Sequence, residues 1–150
     1  MKQIIQLNSQ AKLSEHFTLG EMTTSNHKEV YNIPSHEAIA NLKRLCGWLE
    51  VLRERSGGPV RINSGYRSPQ LNRKIGGAPT SNHLTGCACD IRVAGMEQAI
   101  RYAVILLDYS RESNQDFDEL LIEKNRYGAI WVHFAVRPSN NRRKVLFINA

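Results

Sequence analysis

Ala38, Leu42, Leu45, Leu49 and Leu52 recur at intervals of four, three, four and three residues, the spacing of one helix face. Pro34-Ser35-His36 opens this run and Gly57-Gly58-Pro59 stops it. A helix of that length with one apolar stripe is stable only if another element covers the stripe. Most of the chain that follows is short and of period two. Val60–Asn63, Cys87–Val93, Phe117–Glu123 and Ile130–Val136 read as strands, and Val145–Ile148 as an edge strand. Met96–Ser110 returns to the helical period, and Ser68-Pro69 caps a short helix that Gly76-Gly77 closes. Before residue 34 the chain reads as irregular or short-helical, with Thr18 and Glu21 at capping-box spacing. Helices first and short strands gathered later predict an α+β fold rather than a doubly wound sheet.

A chain of 150 residues, 41% hydrophobic and 23% charged, is expected to be one domain over 1–150 with its own core. The longest apolar run, Ala103–Leu107, falls far short of the roughly 18 residues of a membrane span. Met1–Asn8 contains no apolar stretch, so no secretory signal is expected and the chain is expected to be cytoplasmic as synthesised. Cys46, Cys87 and Cys89 cannot all pair with one another, and the last two are too close for a structural bridge; reduced, buried thiols are expected. The net charge of +6 favours an anionic partner, but the densest basic patch runs only from Arg137 to Lys144. No nucleic-acid partner, no membrane association and a monomer are expected. A basic nucleic-acid-binding domain is kept as a rival that a salt-sensitive DNA shift would favour.

Two polar residues stand where strand cores disfavour them, and a third lies in a turn beside them. Along Cys87–Val93, the cysteines share the apolar face with Ile91 and Val93, while Asp90 points the other way. Along Ile130–Val136, His133 shares a face with Trp131 and Ala135. His83 lies in a polar turn seven residues before Asp90, and Gly86 allows the chain to fold back between them. Two imidazoles and one carboxylate suit a zinc site with a position left for water. The plainer alternative is a hydrogen-bonded core histidine at 133.

These residues resemble the zinc-dependent D-alanyl-D-alanine carboxypeptidase family, peptidase M15. The resemblance rests on Ser81-x-His83-x-x-Gly86-x-Ala88-x-Asp90 with Trp131-Val132-His133, on Ser64-Gly65-Tyr66-Arg67-Ser68-Pro69, and on Ser14-x-His16-Phe17-x-Leu19-x-Glu21-Met22. It implies a small antiparallel sheet carrying the metal site and flanked by helices, as in hedgehog domains. It also implies Zn2+ held by His83, Asp90 and His133, with Arg67 on the substrate carbonyl or terminal carboxylate. Ser81, Tyr66 and Trp131 are the further candidates for substrate contact, although core packing is an equal reading for Trp131. His16 is expected to pack or to contact a helix end rather than bind metal.

Many relatives place the catalytic glutamate three residues before the last histidine, where this chain has Ile130. A sub-group, which includes phage and prophage endopeptidases, places it in a Phe-Asp-Gln-Leu-Ile-x-Glu pattern. Here that segment is Phe117-Asp118-Glu119-Leu120-Leu121-Ile122-Glu123, which makes Glu123 the expected catalytic residue. The implied activity is hydrolysis of an amide bond in D-amino-acid-containing peptidoglycan peptides, by an enzyme released to the cell wall on lysis. The alternative is an inactive zinc-containing peptidoglycan-binding module.

Overall fold

The computed structural model describes residues 8–149. The reading of the first seven residues as lacking a leader lies outside the described residues. The chain forms α1 (Leu19–Met22), α2 (His36–Ser56), β1 (Ile62–Ser64), α3 (Pro69–Lys74), a 3-10 turn (Asn82–Thr85), β2 (Ala88–Arg92), α4 (Met96–Ser113), β3 (Glu119–Lys124), β4 (Ile130–Ala135) and β5 (Lys144–Asn149). No helix among the described residues is long and apolar enough to cross a membrane.

Helix α2 starts where its cap predicts. The Ser35 side chain accepts the Ala38 N–H, and Gly57 ends the helix. Its stripe of Ala38, Leu42, Leu45, Leu49 and Leu52 is fully buried, together with Cys46 and Trp48. Each of those leucines contributes about 1.5–3 kcal/mol through the apolar surface it removes from water. Trp48 carries the helix onto the sheet, with its ring 5.3 Å from Phe134 and 6.4 Å from Phe117. Helix α4 packs beside α2 and buries Ala99, Tyr102 and Leu106.

The strands form one five-stranded sheet in the order β1-β2-β4-β3-β5. Cross-strand partners assign its two faces. Cys89 pairs with Phe134, Ile91 with Val132, and Leu120 with Phe134, and all of these residues belong to the hydrophobic core beneath the helices. Asp90 pairs with His133, His133 with Leu121, and Glu123 with Trp131, on the opposite face. The three cysteines are free and buried, as expected from the apolar face that Cys87 and Cys89 share.

The α+β class holds, but the sheet is mixed rather than wholly antiparallel, because β5 runs parallel to β3. Both sides of β4 are already occupied, by β2 and β3. The chain leaving β4 therefore turns back and takes the free edge of β3. A strand that reverses relative to β4 must run parallel to a neighbour that is antiparallel to β4. Arg143, at φ 49, completes the turn, with its N–H donating to the Phe117 carbonyl.

The N-terminal segment packs into this core through Phe17, Leu19 and Met22. Thr18 and Glu21 form the anticipated capping box around α1, which buries Leu19 and Met22. His16 contacts α2, with its Nδ1 2.7 Å from a Glu50 carboxylate oxygen and its backbone N–H donating to the other oxygen.

Candidate metal centre

Each side chain of the site is set by a different local device. His83 sits on the 3-10 turn. The Ser81 hydroxyl caps that turn by accepting the His83 N–H, and Gly86 ends it at φ 77. A left-handed backbone is costly for any side chain but glycine's, and a Cβ at residue 86 would also lie 2.5 Å from the Ala38 carbonyl oxygen of α2. Asp90 and His133 face each other as direct cross-strand partners on β2 and β4. Arg67 follows β1, and its backbone N–H donates to the His83 carbonyl, which ties its loop to the turn.

The three candidate ligands converge. Each of His83, Asp90 and His133 offers one ligand atom, and these atoms lie within 4.8 Å of one another. Asp90 Oδ1 is 3.4 Å from His83 Nε2 and 3.1 Å from His133 Nδ1. The other Asp90 oxygen accepts from Arg67 Nη2 at 3.2 Å, and Arg67 Nε reaches Ser64. His83 Nδ1 lies 2.6 Å from the Gly65 carbonyl oxygen, which can only accept. That nitrogen must carry the proton, which leaves the Nε2 lone pair directed at the site. Two imidazole nitrogens and one carboxylate oxygen, facing a common point with their outer atoms held, suit a divalent ion of the zinc type.

The electrostatics agree with that geometry. Burial works to raise the Asp90 pKa, yet the His133 and His83 rings facing the carboxylate outweigh it and hold the carboxyl well below the usual range. Burial alone would lower the His133 pKa, but Asp90 and Glu119 on either side of the ring push it up to about 9. Two carboxylates thus flank the His133 ring, surroundings that favour positive charge there. Glu123 behaves in the opposite way. Burial raises its carboxyl above the ordinary value, and the attraction of His133 offsets this only in part.

The residues open onto a cleft of about 460 Å³ that Arg67, Ser81, Glu123 and Trp131 also line. Glu123 lies on the same face as His133, one pairing step along β3. The Trp131 indole N–H is buried without a hydrogen-bond partner; it is near enough to Glu123 to lower its pKa slightly but does not reach bonding geometry. Tyr66, expected from sequence to touch substrate, is instead 7% exposed and belongs to the hydrophobic core. Its backbone N–H donates to the Met22 carbonyl, which ties this loop to α1.

Sequence reasoning missed Glu119 and the group behind it. Glu119 Oε1 lies 2.9 Å from His133 Nε2 and accepts from Asn82 Nδ2 at 2.7 Å. Asp118, with no exposed surface, binds Asn82 and the Arg142 fork. The signal was present in the alternation: a strand that turns Glu123 toward the site turns Glu119, four residues earlier, the same way.

A family model described as peptidase M15 matches residues 15–125, a span that holds Arg67, His83, Asp90, Glu119 and Glu123 and stops short of His133. No curated protein matches the chain.

Proposed function

The chain belongs to the peptidase M15 family, a membership that implies a metallopeptidase, and we propose that it is a zinc-dependent hydrolase of amide bonds in D-amino-acid-containing peptidoglycan peptides. It acts as a D-Ala-D-Ala carboxypeptidase or as an endopeptidase. The convergence of His83, Asp90 and His133 carries this reading.

In this reading His83 Nε2, one Asp90 oxygen and His133 Nδ1 hold the ion. When bound, zinc supplies the Lewis acidity that makes water nucleophilic near neutral pH and polarises the scissile carbonyl. Glu123 removes a proton from the attacking water as the new C–O bond forms, and delivers it to the amine as the C–N bond breaks. Burial of its carboxyl supports this role, because a raised pKa brings the base closer to working pH. Arg67 is already aimed into the cleft by Asp90 and Ser64, and its fork stabilises the developing oxyanion or the substrate's terminal carboxylate. Ser81 and Trp131 contact the substrate from the cleft wall.

The test is release of peptide products from purified peptidoglycan, with zinc measured on the same samples. Wild type is expected to hydrolyse, and Glu123→Gln to lose about 10²–10⁴-fold in rate while keeping its zinc. Equal activity in Glu123→Gln would reject its role. Full zinc occupancy with no wild-type hydrolysis would favour the binding module.

A further inference from the structure

We infer that Glu119 is a positioning residue that fixes the tautomer of His133, so that Nδ1 presents its lone pair to the metal. The inference rests on the zinc-site reading above.

A neutral imidazole carries one N–H, and the partner of that N–H decides which nitrogen is free to ligate. The His133 ring stands between two carboxylates, with Asp90 3.1 Å from Nδ1 and Glu119 2.9 Å from Nε2. Nδ1 is the nitrogen that meets Asp90 at the candidate site. If the proton sits on Nε2, Glu119 accepts it and Nδ1 is the ligand. If it sits on Nδ1, the lone pair points away from the site toward another acceptor, and the site loses a ligand.

Glu119 is built for the first arrangement. Its side chain is 15% exposed, and Asn82 donates to the oxygen that faces His133. Its second oxygen lies 3.7 Å from Arg142 Nη2. Asn82 is itself held: its amide N–H groups also reach Asp118, and its carbonyl oxygen accepts from Arg137 Nε at 3.0 Å. Asn82 immediately precedes His83, so one residue braces the orienter of His133 and the turn that carries His83. Carboxylates behind ligating histidines act in this way on metal affinity. The two glutamates on one face of β3 thus divide the work. Glu119 is occupied with His133 and serves position, while Glu123 has no comparable partner and remains available to water.

The experiment is zinc affinity by chelator competition on the full chain, for wild type, Glu119→Ala, Glu119→Gln and His83→Ala. Long-range proton–nitrogen spectra of the histidine rings are recorded on the zinc-loaded samples. Glu119→Ala is expected to weaken zinc 10–100-fold. Glu119→Gln, whose amide oxygen accepts the same hydrogen bond, is expected to recover most of that loss. Wild type is expected to give His133 protonated on Nε2. Wild-type affinity and an unchanged His133 tautomer in Glu119→Ala would overturn the inference, as would Glu119→Gln losing as much as Glu119→Ala. If wild type binds zinc and His83→Ala does not, those failures concern Glu119 alone. Absence of zinc binding in wild type would overturn the site reading and this inference together.

Discussion

The two histidines of the site are held by opposite means. His83 is oriented by the main chain: its Nδ1 donates to the Gly65 carbonyl at 2.6 Å. Gly65 is pressed so close to Met22 that a Cβ there would lie 2.4 Å from the Met22 carbonyl oxygen. His133 sits mid-strand and is oriented by side chains, Asp90 on one nitrogen and Glu119 on the other. Backbone orientation cannot be removed without disturbing the packing of loop against α1. Side-chain orientation can be removed and leave the strand in place. Damage on the His83 side should therefore remove fold and metal together, and damage on the His133 side should separate them.

Gly65→Ala strikes the first kind of support. The obstructing atoms are backbone, which has little freedom to give, so the cost is expected at the upper end for overpacking, about 3 kcal/mol. Thermal unfolding and zinc content, read on one sample, should fall together. A variant as stable as wild type that still binds zinc would break the comparison.

Asp118 tests the second kind. Burial works to raise its pKa, but hydrogen bonds from the Arg142 fork, the Arg142 backbone and Asn82 hold it down at about 2. Its folded pKa lies below the ordinary aspartate value, so the stabilisation is complete above about pH 4. It is lost as pH falls from about 4 to about 2, a swing of about 2 kcal/mol. Asp118→Asn should flatten the acid limb of a stability-against-pH curve in that window. An unchanged acid limb would show that the network behind Glu119 contributes no such energy.

The smallest effect is expected at Ser81. Its hydroxyl caps the turn that bears His83. Ser81→Ala should cost about 1 kcal/mol in denaturant unfolding. A loss as large as that of Gly65→Ala would place the weight of the His83 support on the cap instead of on the Gly65 approach.

Much of this is legible in the residue pattern alone. The stripe of α2, the Ser35 and Ser68 caps and the Thr18–Glu21 box are local, so residue spacing announces them. The opposite directions of Cys89 and Asp90 follow from strand alternation alone, as does the face that His133 shares with Trp131. The burial of Tyr66 was not legible, because the core it joins is assembled from segments far apart in the chain. Nor was the parallel pairing of β5, which depends on which sheet edge remained free.

Donor types, the strands that carry them and the direction each side chain points follow from residues a few places apart, because side-chain chemistry and period-two geometry act over that range. It takes the folded chain to set Asp90 directly opposite His133, to bring Gly65 up as the acceptor for His83, and to put Glu119 rather than solvent against His133 Nε2. Those are matters of register and close approach between distant segments. They are set by how the helices and the sheet bury a common core, and no local spacing encodes them.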